Sequence, residues 1–243
     1  MVHGIGWGKR ALLYLVKSTG LQNWLPSSGG CMREVPQELT AEQQQQRTAK
    51  VEYVANNKRF FTGFTNERDL LTRCVADCFT LFQPSAVVVL SRKSDDYQVA
   101  VTTGVNLVED QRKLNLGQTG GIVRAACEAE GDRQGLLYFP DVNKDQIFLG
   151  KEFDRVTQGS FEEKVKVVYV GTAAEYGHLI DLAVLKAHNI RSVACLPLFD
   201  LDGRTPLGAM VLLNAELDPL VDFAPLQLLG DAVARQLSDL RES

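Results

Sequence analysis

Thiols, imidazoles and one acidic loop are the side chains through which this chain could do chemistry. It has five cysteines and three histidines in 243 residues. Nucleophilic catalysis needs a serine or cysteine beside a base that a third group orients. His3, His178 and His188 each stand outside any such context; His188 reads as the solvent-side end of a helix, where a cation suits the dipole. The cysteines show no paired metal-ligand spacing. Cys74 and Cys78 are four apart inside a helical pattern and read as two small buried hydrophobes. The acidic loop is Asp141-Val-Asn143-Lys-Asp145, with Glu152 eleven residues after Asp141, which reproduces much of a calcium-loop spacing. Gln146 replaces the glycine such a loop turns on, and Pro140 ends a strand where a helix is needed. These four residues are a calcium candidate set beside a plainer reading, an Asp-rich turn leaving a strand. Gly4, Gly6 and Gly8 lack the strand-to-helix context of a phosphate loop.

The bulk properties narrow the classes further. A net charge of −4 and dispersed Lys and Arg give no stripe for nucleic acid. No apolar run reaches the length of a membrane span. Five cysteines without a disulfide pattern fit a reducing, intracellular compartment, with the cytoplasm as default. Residues 1–33 contain no Asp or Glu, and an acid-poor start with Lys9, Arg10, Lys17 and Arg33 is also compatible with organellar targeting.

Several elements must position these groups. Thr40-Ala-Glu-Gln43 is a capping box opening a helix to about Asn56, whose glutamine-rich first turns have almost no apolar face. Those turns are expected to be solvated or packed on another chain. Asn66 caps a second helix, in which Leu70, Leu71, Cys74, Val75, Cys78, Leu81 and Phe82 recur at three and four residues until Pro84 ends it. Ala86–Leu90 is a fully apolar strand, and Tyr97, Val99 and Val101 alternate in its hairpin partner. Short strands are expected at 114–117, 136–139 and 164–170, helices at 122–130 and 173–187, and a polar stretch at 151–160. Ile190–Phe199 and Leu207–Leu213 form a hairpin around Asp202-Gly203, because Asp-Gly supplies the positive φ of a tight turn. Phe223–Arg241 is a last amphipathic helix.

Ile190-Arg-Ser-Val, Leu196-Pro-Leu, Asp202-Gly203 and Leu207-Gly208 leading into an apolar strand resemble a GAF domain, the sensing module of phytochromes and cyclic-nucleotide phosphodiesterases. The resemblance runs from about Asn66 to Leu240. It implies an α+β fold, an antiparallel sheet flanked by helices, here with an N-terminal helical extension. The division is then 1–62 for the extension and 63–243 for the domain. Cyclic-nucleotide binding in that family needs an Asn-Lys, a Phe and an Asp-Glu pair. Asn214 and Phe223 match, but Ala215 and Gln227-Leu228 replace the charged partners. Covalent tetrapyrrole attachment needs a Cys-His before the Leu185-Lys186 helix end, where Ile180-Asp181 stand. The family's methionine sulfoxide chemistry needs a reactive thiol with a resolving partner, and neither Cys127 nor Cys195 matches its pattern.

These absences lead to a non-enzymatic interaction or scaffold module without a cofactor. It docks on protein partners, in a larger assembly or a homodimer, through its terminal helices and its N-terminal arm. Trp7, Leu12, Leu15 and Trp24 are the expected partner-binding residues, since both tryptophans lie outside the domain and interfaces favour them. The alternative is a sensor binding a small metabolite non-covalently. Position in the resemblance then assigns Tyr138, Tyr176, His178 and Cys195 to the pocket lining.

Overall fold

Asn66 and Gln83 bracket the helix that the sequence marks most clearly. The Asn66 side chain accepts from the Asp69 amide at 2.9 Å, and Gln83 closes the helix in the left-handed conformation (φ 47°) just before Pro84. A computed structural model describes residues 33–34, 38–57, 61–104, 121–128, 135–142, 147–152, 165–171, 185, 187–201, 203 and 205–242. In chain order the elements are β1 (Arg33–Glu34), α1 (Ala41–Asn57), α2 (Glu67–Phe82), β2 (Ala86–Lys93), β3 (Asp96–Thr103), α3 (Ile122–Glu128) and β4 (Leu136–Phe139). They continue with β5 (Ile147–Glu152), β6 (Val165–Gly171), β7 (Val193–Phe199), β8 (Pro206–Leu213) and α4 (Pro219–Glu242). The expected strand at 114–117, the expected helix at 173–187 apart from Leu185 and Ala187, which are helical, and arm residues Trp7, Leu12, Leu15 and Trp24 lie outside the described residues.

The strands form one antiparallel sheet in the order β1-β6-β5-β4-β7-β8-β2-β3. Its middle is buried on both faces, which is why β2 and β8 read as unbroken apolar runs. Side chains alternate between the faces. Val88, Leu137, Cys195 and Val211 meet α3, whereas Val87, Tyr138, Leu196 and Met210 meet the layer of α1, α2 and α4. The β7–β8 hairpin turns where expected, with Gly203 at φ 66°. Gly208 has a second reason to be glycine: a Cβ there would stand 2.2 Å from the Leu90 carbonyl oxygen.

One expectation needs correction. β5 occupies Ile147–Glu152, so part of the polar stretch is a strand between β4 and β6. The glutamine-rich first turns of α1 are largely solvated as expected, with Gln44, Gln45 and Gln46 exposed, while Arg47 and Val54 further along are buried where the helix packs on α4. On the N-terminal side of residue 62, β1 pairs beside β6 and α1 packs on α4. No described helix is long and apolar enough to cross a membrane.

Candidate functional site

The proposed pocket residues fall on opposite sides of the sheet. Leu137 pairs with Cys195 and Tyr138 with Ala194, so Tyr138 points to the helix layer and Cys195 to α3. One pocket cannot be lined by both. The α3 side is a closed apolar floor among the described residues, built by Ile122, Cys127, Leu137, Phe139, Cys195 and Val211. Cys127 and Cys195 are fully buried there. Burial, and secondarily Cys127, raises the Cys195 thiol well above its ordinary value, the reverse of what a nucleophilic thiolate needs. His188, at the edge of this region, is half-buried, and its amide donates to the Leu185 carbonyl. Tyr176 and His178 lie outside the described residues.

Tyr138 has a structural task instead. Its hydroxyl donates to the Ala215 carbonyl at 3.2 Å and accepts from the Leu217 amide at 3.1 Å. Its ring meets Phe223 edge-on at 6.0 Å. Burial pushes the phenol up to about 12, against the lowering effect of the Leu217 amide. Ser192 donates to the same carbonyl at 2.8 Å. Asn214, at φ 54°, accepts from the Arg191 amide at 2.6 Å and donates to the Asn189 carbonyl at 3.2 Å. The two residues that match the nucleotide motif, Asn214 and Phe223, therefore fasten the β8–α4 link to the start of β7 and to β4.

That link also receives α1. Asp218 caps α4 by accepting from the Leu220 amide at 3.0 Å, with Pro219 at the first helical position. Gln43 donates to Asp218 at 2.8 Å, while its carbonyl oxygen accepts from the Thr40 amide in the expected capping box. Arg47 reaches the Leu220 carbonyl at 3.4 Å. Lys50 pairs with buried Asp222 at 2.5 Å. Positions 43, 47 and 50 share one helical face, so a polar stripe does the docking. Burial raises the Asp222 carboxyl, and the Lys50 hydrogen bond opposes that rise without cancelling it.

Beside this junction opens a cleft of about 730 Å³. Gln46, Ala49 and Lys50 of α1 form one wall and Thr80, Leu81, Phe82 and Gln83 at the end of α2 another; Asn214, Glu216 and Asp222 close the third side. Its volume lies in the range of about 300–1,000 Å³ common for binding pockets, but its lining is mainly polar rather than apolar. Sequence reasoning missed this site because its polar residues belong to three distant segments. The one signal available was the polar face of an otherwise well-capped α1.

Asp141 and Glu152 of the calcium candidate set lie apart. β4 and β5 are a hairpin, with Tyr138 opposite Phe148 and Leu136 opposite Gly150. Glu152 sits at the far end of β5, about 17 Å along an extended strand from Ile147. Asp141 follows β4 at the turn end, whereas calcium ligands must all lie within about 2.6 Å of the ion. Asn143 and Asp145 lie outside the described residues, among which no group of three or more His, Cys, Asp or Glu could hold a metal. Cys74 and Cys78 instead pack on Met210, with sulfur separations of 3.5 and 3.1 Å.

No family model matches the sequence, and no curated protein does. Solved structures do match in fold. The phycoerythrobilin-bound GAF domain from a cyanobacterial phytochrome superposes with a TM-score of 0.52 at 14% identity, covering 82% of this chain and 98% of that one. The GAF domain of A. aeolicus nlh2 in an inactive state superposes with a TM-score of 0.50 at 12% identity, covering 82% and 99%. The fold of this chain is that of GAF domains.

Proposed function

We propose that this protein is a sensor module that binds a small molecule non-covalently in the cleft between α1, the end of α2 and the β8–α4 link, without catalysing a reaction on it. The observation that carries this reading is the cleft itself, about 730 Å³ at the place where the two outer helices meet. A ligand there touches Lys50 and Asp222, the pair that joins α1 to α4. Occupancy would therefore change how the helix layer packs, which is what a sensor must transmit. The fold shared with a domain that holds phycoerythrobilin supports ligand binding in general. The buried, high-pKa thiols give no support to catalysis.

A thermal-shift screen of the full chain against cationic, anionic and neutral metabolites tests the reading. The expected result is a compound that raises Tm in wild type and fails to do so in Ala49→Trp, whose indole fills the cleft from an exposed helical position. No stabilising compound, or one that acts equally on Ala49→Trp, overturns it.

Docking through the N-terminal arm is a separate reading that rests on Trp7, Leu12, Leu15 and Trp24. Deleting residues 1–30 should abolish recovery of a partner while leaving Tm unchanged; unaltered association removes the arm from the account.

A further inference from the structure

Three sulfur atoms converge beneath α2. Cys74 and Cys78 are four residues apart on that helix and so share one face. The face lies against β8, whose Met210 is in the same helix-side core. Met210 Sδ stands 3.5 Å from Cys74 Sγ and 3.1 Å from Cys78 Sγ. The two thiols are also within hydrogen-bonding reach of each other. Carbon atoms in ordinary contact keep about 3.5–4.0 Å apart, and sulfur is the larger atom, so these three stand closer than apolar packing requires.

Their surroundings are dry and carry a negative charge. Cys74, Cys78 and Met210 are 1%, 0% and 0% exposed. Asp77, next to Cys78 in the chain, is buried too, and its charge adds to the burial that opposes ionisation of the Cys78 thiol. The Asp77 oxygens are engaged by Tyr53 at 3.1 Å and Arg73 at 3.2 Å, so this carboxylate acts on the sulfurs through its field alone. A cation among the sulfurs would offset the charge that a thiolate brings into the core.

The donors select the ion. Calcium and magnesium take oxygen ligands, and a structural zinc takes four donors. No described group of three or more His, Cys, Asp or Glu offers either set. Two thiols and a thioether suit a soft ion that accepts few ligands.

We infer that Cys74, Cys78 and Met210 form a three-sulfur site for a soft monovalent cation, Cu(I) by its chemistry. On binding, the ion replaces one thiol proton, which leaves to solvent. A thiolate, a thiol, a thioether and Cu(I) then sum to no net charge, and nothing is oxidised or reduced. Metal–sulfur bonds of about 2.3 Å would set sulfurs about 4 Å apart in a trigonal plane, so loading opens the set by about 1 Å or less. None of the three residues lines the cleft, and the site is independent of the sensor reading.

Anaerobic titration of the full chain with Cu(I) held by bicinchoninate tests this, both on the native protein and after refolding with the ion present, so that burial does not mask the site. Wild type is expected to withdraw one equivalent from the chelator and to gain Tm. Met210→Leu keeps both thiols and nearly the same core volume. It should weaken uptake about tenfold or more, the scale at which even outer partners of a metal matter. Cys31→Ser and Cys127→Ala remove thiols outside the set and should leave affinity within about twofold. No uptake by wild type on either route, or equal weakening in Cys127→Ala and Met210→Leu, overturns the site. Uptake unchanged in Met210→Leu overturns the three-sulfur set, and uptake lost in Cys31→Ser moves the metal elsewhere in the chain.

Discussion

Lys50 in the first helix and Asp222 in the last, 172 positions apart in the chain, form an ion pair at 2.5 Å. The Asp222 side chain is 5% exposed and also accepts from the Asp218 amide at 2.8 Å, so it serves the helix terminus and the interhelical contact together. Removing it strands a partly shielded ammonium and an amide. Asp222→Ala should cost about 2 kcal/mol, below the usual figure for a fully buried pair because Lys50 keeps contact with water. Denaturant titration measures this; a loss indistinguishable from zero would mean that the pair does not hold α1 in place.

The same carboxyl sets a pH dependence. Burial raises its folded pKa above the unfolded value, despite the Lys50 hydrogen bond. Its contribution to stability is then fully present below the unfolded value and is lost as pH rises through the folded one. The Tm of wild type minus that of Asp222→Asn should fall as pH climbs out of the ordinary carboxylate range, then level off. A difference that grows with pH across that window contradicts the direction of the shift.

Tyr138 tests the link between sheet and helix layer. Its hydroxyl serves both the Ala215 carbonyl and the Leu217 amide in a buried site. Tyr138→Phe leaves the amide without that acceptor, at a cost of about 1–3 kcal/mol. Ser192 still serves the carbonyl, which favours the lower half of that range. Amide exchange should quicken around residues 215–218 in this variant, and unchanged exchange there would detach Tyr138 from the junction.

Much of the fold was legible because its signals are local. Asn66, Thr40 and Pro84 each mark a helix boundary through a bond or ring that acts within a few residues. The face of Tyr138 was not legible, since every residue of Leu-Leu-Tyr-Phe is apolar enough for either side and alternation gives no cue. The docking of α1 was hidden for a related reason. Gln43, Arg47 and Lys50 attach it by polar bonds, and a polar stripe looks like a solvated one until its partners Asp218, Leu220 and Asp222 are brought beside it. Spacing along the chain equals spacing in a loop only when the chain loops, and the segment that carries Glu152 extends as β5.

The thiols give an independent check on the α3 side. Cys74, Cys78, Cys127 and Cys195 are all buried, and Cys78 and Cys195 have raised pKa values from burial first and neighbouring thiols second. Under native conditions these four should label with a thiol reagent only through opening of the fold, and fast labelling should return in denaturant. Rapid native labelling at Cys195 would reveal an open pocket over the sheet floor and move the ligand site to that face.

Amide exchange of the full chain, with and without a saturating compound that raises Tm in the thermal-shift screen, tests the cleft as the ligand site most directly. Slowed exchange is expected in residues 43–50, at the end of α2 and across 214–222. Protection confined to α3 and the strands beneath it, or no protection anywhere, would contradict it.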